Sequence, residues 1–208
     1  MFVALVGPDG SGKTTVARAL EEASKAAGVV FWYQHWVPTG RSRPAGSVPA
    51  GGVVPPKRQA LEATSVVVRV ASVARLARNL LRFWIGYLRW IRPLRRSDAR
   101  TMIVADRWIY NYLGQPYSVG YAGPRRLAEL AMRLAPRPDF VAVLVAPGDV
   151  VADRKSELTA EQAATEAAVW TAIEGPWWPA VVFDTTRPPR EVADDIMGAM
   201  NTPYEART

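Results

Sequence analysis

The chain has no cysteine and a single histidine, His35. The first absence excludes a disulfide scaffold, a thiolate zinc site and a cysteine nucleophile. The second excludes a multi-histidine metal site and leaves His35 as the sole centre for a serine triad. Long uncharged apolar runs are missing too. The nearest, residues 70–91, is interrupted by Arg75, Arg78, Arg82 and Arg89, which argues against a spanning helix. No basic leader precedes the short apolar run Phe2-Val3-Ala4-Leu5-Val6, so a secretory signal is not expected. The lack of cysteine fits a reducing compartment, and a cytoplasmic location is the expectation. Acidic residues are scarce in one place. Residues 41–100 carry 13 of the 26 Lys and Arg but only Glu62 and Asp98 against them, an excess of eleven positive charges. The rest of the chain is mildly acidic, although the whole carries +7. A local basic block points to an anionic partner more strongly than an even excess would.

What is present is ordinary globular material. The 208 residues are 49% hydrophobic and 22% charged, which sets aside disorder as the default and suits a single domain over 1–208. Residues 2–6 suit a buried parallel strand, followed by a glycine-rich turn and a helix from Thr14 to Ala27. Val29–His35 forms a second strand pattern. Five prolines and four glycines within 37–56 predict an irregular loop. Residues 58–92 carry a helical pattern that Pro93 should end. At 100° per residue, Arg75, Arg78, Arg82, Arg89 and Arg92 share an arc of about 100°. The stripe is about 25 Å long at 1.5 Å per residue. Val73, Leu76, Leu80, Phe83, Trp84, Tyr87 and Ile91 fall opposite.

Thr101–Ala105 is the third strand pattern, and it closes on Asp106-Arg107. A helix follows from Pro124 to Leu134, then a strand over Phe140–Val145 and a helix from Pro147 into Arg154-Lys155-Ser156-Glu157-Leu158. Thr159-Ala160-Glu161-Gln162 opens a helix toward Ile173 as a capping box. Val181–Phe183 and Pro188–Met200 supply the last strand and helix. Strands alternating with helices predict an α/β fold with a mainly parallel sheet.

One motif carries most of the chemistry. Gly7-Pro8-Asp9-Gly10-Ser11-Gly12-Lys13-Thr14 satisfies the P-loop pattern between a buried strand and a helix. Glycines let the backbone wrap a phosphate, its N–H groups converge on the anion, and the helix N-terminus adds favourable charge. Asp9, Gly10, Ser11, Gly12, Lys13, Thr14 and Thr15 are therefore the candidate ATP-binding residues. Lys13 would reach the β- and γ-phosphates, and Thr14 would hold Mg²⁺. Asp106, at a strand's carboxyl end, suits the second Mg²⁺-holding position. Arg107 beside it could clamp a transferring phosphoryl group. Arg154, with Lys155, suits a mobile basic lid over residues 147–160. Lys13, Asp106, Arg107 and Arg154 are the candidate catalytic set.

These motifs together resemble the thymidylate kinase family, a branch of the nucleoside monophosphate kinases. The resemblance rests on the Gly7–Thr14 loop with Asp at its third position, on Asp106-Arg107-Trp108, and on Arg154-Lys155 before a helix. It runs in order over residues 1–200. A subgroup often found near surface-polysaccharide genes is echoed further by His35 with Pro38, Gln115-Pro116, Gly123-Pro124, Pro136-Arg137-Pro138-Asp139 and Arg154–Leu158. The resemblance implies a P-loop NTPase fold with about five parallel strands flanked by helices and a lid, and a kinase using ATP and Mg²⁺. In this chain the fold would also carry a basic helical insertion, within 37–100. The resemblance further implies that Asp9 contacts the acceptor sugar, that Arg107 contacts phosphate, and that the acceptor is a nucleoside monophosphate such as dTMP. Family members are commonly dimers, so a homodimer is among the partners it suggests. No convincing match stands for the family's thymine-stacking Phe or for its acceptor-phosphate Arg, a role open to Arg69, Arg75 or Arg78. A modified nucleotide, a DNA base, a sugar alcohol or a polymer precursor thus stays open as acceptor. A nucleotide-dependent binding or switch ATPase is a second class, whereas the absence of Asn-Lys-x-Asp argues against a GTPase. The arginine stripe has three readings: a solvated face, a grip on an anionic polymer such as nucleic acid, or docking on an anionic membrane. Phe83, Trp84 and Trp90 suit core or partner contacts, Trp177-Trp178 suits packing, and His35 suits a satisfied strand-end residue.

Overall fold

The computed structural model describes residues 1–35, 43–44, 65–97, 100–154, 159–172 and 180–201. The expected irregularity of 37–56 apart from residues 43–44, the onset of the basic helix before residue 65, Lys155–Leu158 and Trp177-Trp178 lie outside them.

Five parallel strands form the centre: β1 (Phe2–Val6), β2 (Val30–His35), β4 (Thr101–Asp106), β5 (Phe140–Val145) and β6 (Ala180–Asp184). Their spatial order is β2-β4-β1-β5-β6. A two-residue strand, β3 (Arg43–Pro44), adds antiparallel to the outer edge of β2. It falls inside the stretch whose proline and glycine content predicts loop, and the edge is where a proline costs the sheet no hydrogen bond. The strands are apolar runs rather than alternations because helices cover both faces. Val3, Leu5, Val104, Phe140 and Leu144 pack on α1 (Lys13–Ala26) and α8 (Pro189–Asn201). Phe2, Ala4, Ile103, Val141 and Val143 face the opposite layer.

That opposite layer contains α2 (Val66–Gly86), α4 (Asn111–Gly114), α5 (Arg125–Leu134) and α7 (Ala160–Ala172). Trp108 is its centre. It is fully buried, meets Phe2 and Phe83 edge-on at 5.1 and 4.5 Å, and donates from Nε1 to the Pro136 carbonyl at 3.0 Å. Ser65 caps α2, its Oγ accepting from the Val68 N–H. Thr159 and Gln162 cap α7 reciprocally, each side chain accepting from the other's backbone N–H. Gly28, at φ +66°, turns the chain from α1 into β2.

The basic helix departs from its sequence pattern in two ways. Tyr87–Ile91 winds as one wide π turn, with the Arg92 N–H reaching back to the Tyr87 carbonyl. The helix then resumes as α3 (Arg92–Ser97) instead of ending at Pro93. The wide turn shifts the hydrogen-bond ladder by one residue, so a proline just beyond it interrupts nothing. It also changes the winding, so Arg89 and Arg92 leave the phase set by Arg75, Arg78 and Arg82. All five arginines are nevertheless exposed. The expected inward side is only half inward. Leu76, Phe83 and Ile91 are buried, Val73, Leu80 and Tyr87 are half-buried, and Trp84 is exposed. No helix among the described residues is long and apolar enough to cross a membrane.

Candidate functional site

Chain direction places the site. From β1 the chain crosses through α1 to β2, on one side of the sheet. From β4 it crosses past β1 to β5, on the other. The carboxyl ends of β1 and β4 therefore flank the point where the winding reverses, the position at which open α/β sheets leave a crevice. Leu5 is in register with Asp106, and the Arg107 N–H donates to the Leu5 carbonyl at 3.1 Å. The glycine-rich turn after β1 and the Asp106-Arg107 pair after β4 are thus held side by side by the sheet itself.

The turn from Gly7 to Gly12 is tight and left-handed at several points. Gly7, Gly10 and Gly12 have φ of +143°, +89° and +83°. Gly7 has a second reason to be glycine: a Cβ there would lie 2.1 Å from the Leu144 carbonyl oxygen on β5. Gly12 is the N-cap of α1, and no side chain caps it. The first turn of α1 also has no acidic residue. The partial positive charge of this helix end favours an outside anion.

Lys13 is buried at the start of that helix. Its Nζ donates to the carbonyls of Gly7 (3.0 Å) and Pro8 (2.6 Å) and lies 3.7 Å from Asp9 Oδ1. The ammonium is thus wrapped in its own loop. Asp9 also accepts from Arg107 Nη2 at 2.7 Å. Arg107 has φ +68°, an unusual conformation for a residue with a Cβ. The strain turns its side chain back over the loop, where the Asp9 ion pair holds it. Arg154, at the end of α6 (Gly148–Arg154), donates from Nη2 to the Thr185 carbonyl at 3.1 Å. Its other terminal nitrogen would lie 3.8 Å from a Cβ on Gly12. Lys13, Arg107 and Arg154 therefore converge on one loop from three different elements.

Asp106 is buried under this cluster. Tyr33 donates its hydroxyl to Oδ2 at 2.8 Å, and His35 Nδ1 lies 3.5 Å from the same oxygen. Burial opposes ionisation of the carboxyl. His35, Lys13 and the Tyr33 hydroxyl outweigh it, and the group is held below the usual carboxylate range. Tyr33 is pushed the other way, chiefly by burial and then by the adjacent negative charge. One oxygen of Asp106 is thereby engaged. Oδ1, buried, has no hydrogen-bond partner, and neither has the buried Ser11 Oγ. A buried carboxylate oxygen left without a donor suits a cation. With Thr14 half-buried in the first turn of α1, Asp106 and Thr14 fit a Mg²⁺ ion. Among the described residues no group of three or more His, Cys, Asp or Glu is placed to hold a metal. Such an ion would therefore draw its remaining ligands from phosphate and water.

The sequence-predicted residues thus meet in one place, with two qualifications. Thr15, in the first turn of α1, is exposed. Arg75 is committed elsewhere, donating to the Gly120 carbonyl at 2.9 Å. His35 stands at the strand end beside Asp106, as a hydrogen-bonding neighbour. Tyr33, which sequence reasoning missed, is the partner that orients Asp106. Two residues before His35, it shares a sheet face with Asp106 on the adjacent strand, an adjacency that the structure supplies. Also missed in the other layer were the Asn79–Tyr112 pair, Asn111 and Glu166, the partner of Gln115 from the Gln115-Pro116 motif. Asn79 donates to the Tyr112 hydroxyl at 2.8 Å, and Gln115 donates to Glu166 at 3.0 Å. Asn79 Oδ1 and Asn111 Oδ1 are buried without hydrogen-bond partners. No protein-family model matches the chain, and no curated protein matches it.

Proposed function

We propose that the protein is a P-loop kinase of the thymidylate kinase type, transferring the γ-phosphoryl group of ATP to a nucleoside monophosphate such as dTMP. One observation carries the phosphotransferase reading. Three cations, Lys13, Arg107 and Arg154, surround an uncapped helix N-terminus beside a buried carboxylate with a free oxygen. Phosphoryl transfer needs positioning and charge stabilisation more than covalent chemistry, and these groups supply both.

Each residue has a defined task. The amides of the Gly7–Gly12 loop and of the first turn of α1 cradle the phosphates. Lys13, released from the Gly7 and Pro8 carbonyls, exchanges two neutral acceptors for anionic oxygens, a stronger charge-assisted bond. Arg107 and Arg154 neutralise charge on the moving group. Asp106 and Thr14 would hold Mg²⁺, which when bound would supply Lewis-acid stabilisation of phosphate charge. Tyr33 keeps one Asp106 oxygen occupied and leaves the other without a donor, where a cation would be held. Asp9 anchors Arg107 and, by the resemblance noted above, meets the acceptor sugar.

The acceptor class rests on that resemblance. A thymidylate kinase-like enzyme with a sugar, polysaccharide-precursor or modified-base acceptor is the second reading; of the three arginines open to the acceptor-phosphate role, Arg75 is engaged with the Gly120 carbonyl. The test is ATP consumption with Mg²⁺ across dTMP, other nucleoside monophosphates, free sugars and single-stranded DNA, with products identified by mass. Turnover with dTMP supports the first reading, and turnover confined to a sugar or polymer supports the second. Transfer unaffected by Lys13→Ala refutes both.

A further inference from the structure

The outer surface of the α2–α5 pair has a composition unlike the rest of the molecule. Leu81, Trp84, Ile85 and Leu88 project from α2 and its π turn at the spacing i, i+3, i+4, i+7, and all four are exposed. Leu130 and Leu134 of α5 continue the apolar strip, and Leu81 and Leu134 have 60% and 52% of their surface open. The two helices are locked together there, with Trp84 Nε1 donating to the Leu134 carbonyl at 2.8 Å. Isolated exposed leucines are normal, but a contiguous strip across two helices marks a contact surface.

The flank of the strip is basic. Arg75, Arg78 and Arg82 share the adjacent arc of α2, and Arg126 and Arg133 stand exposed on α5. From Val66 to Ser97 there is no acidic residue at all. Among the described residues, no ion pair involves Arg78, Arg82 or Arg89. On α5, Glu129 is engaged with Arg125.

These features choose among occupants. A second copy related by a two-fold axis would bring arginine rows against arginine rows, with no carboxylate on α2 to answer them. A nucleic acid would satisfy the arginines and leave Leu81, Ile85 and Leu134 against phosphates. A bilayer surface containing anionic lipids satisfies both halves: the leucines, Ile85 and Trp84 enter the headgroup boundary while the arginines meet lipid phosphates. We infer that the α2–α5 face docks the protein on an anionic membrane surface. The inference is independent of the nucleotide chemistry, because the face belongs to the layer opposite α1 and carries none of Lys13, Asp106, Arg107 or Arg154.

The experiment is co-sedimentation of the full chain with phosphatidylcholine vesicles, with and without about 30% phosphatidylserine, at low and at physiological salt. Binding to the anionic vesicles only, weakening as salt rises, is expected. Leu81→Ser with Ile85→Ser should reduce partitioning at least tenfold, and so should Arg78→Gln with Arg82→Gln. The arginine pair lies wholly on the surface and keeps the test valid if the apolar pair disturbs folding, which circular dichroism checks. Quenching of tryptophan emission by brominated lipid should fall in Trp84→Phe. Absence of vesicle binding overturns the inference, as does binding unchanged in both pairs. A dimer in sedimentation velocity that Leu81→Ser/Ile85→Ser dissolves, without vesicle binding, assigns the face to a second copy and overturns it too. Salt-sensitive binding to DNA but not to vesicles would do the same.

Discussion

Gly7→Ala is the sharpest test of the loop geometry. The substitution adds one methyl group to a residue at φ +143°, a conformation that costs a residue with a Cβ about 1–3 kcal/mol. The methyl carbon would also stand 2.1 Å from the Leu144 carbonyl oxygen and 3.1 Å from Ser11 Oγ. Ser11 can rotate. Leu144 cannot easily move, because β5 is fixed between β1 and β6, with Leu144 in register with Phe183. Overpacking of this kind costs about another 1–3 kcal/mol. The sum, about 2–6 kcal/mol, is a large part of a typical domain's stability. At roughly 2–4 °C per kcal/mol for a chain of this size, the melting temperature should fall by about 4–24 °C. Thermal unfolding followed by circular dichroism measures it. Gly198→Ala is the control: a Cβ there meets nothing within 4 Å, and α8 should gain about 0.5–1 kcal/mol. A Gly7→Ala protein melting within about 2 °C of wild type would refute the close approach of the loop to β5.

Three further substitutions probe other parts of the account. Lys13→Ala should lower phosphoryl transfer on the order of 10²–10³-fold in a coupled ATP assay while leaving the fold intact. Arg107→Gly removes the strain of a positive φ together with the Asp9 ion pair, so stability should change by less than about 1 kcal/mol in urea unfolding while activity collapses. A loss of stability much larger than that would mean Arg107 is structural. Trp108→Ala leaves a cavity against Phe2 and Phe83 and strands the Pro136 carbonyl, and should cost about 3–5 kcal/mol by denaturant titration.

The sheet was legible because its strands are short apolar runs bounded by turn residues, and β5 runs over the same residues in pattern and in structure. The loop was legible because glycine spacing, Lys13 and Thr14 are local in sequence. What escaped was either non-local or a change of winding. Tyr33 reaches Asp106 only because β2 and β4 are neighbours, which no local pattern states. The π turn at Tyr87–Ile91 escaped because Pro93 reads as a stop wherever the ladder is α-helical. Trp84 was assigned to the inward side because periodicity separates arginine from apolar residues. It does not say that the apolar arc is wider than the surface available to cover it. The pairing of Asp9 with Arg107 escaped for a different reason: Arg107 reaches the loop through a backbone conformation that few non-glycine residues adopt.

Calorimetric titration of Mg²⁺ and a non-hydrolysable ATP analogue into the wild-type chain and its Lys13→Ala and Asp106→Asn variants addresses the central claim directly. The account predicts saturable binding by the wild type, loss of at least about 1.4 kcal/mol (tenfold) in Lys13→Ala, and loss of the Mg²⁺ dependence in Asp106→Asn. Equal affinity in all three proteins, or no binding by a folded wild type at millimolar nucleotide, would contradict it.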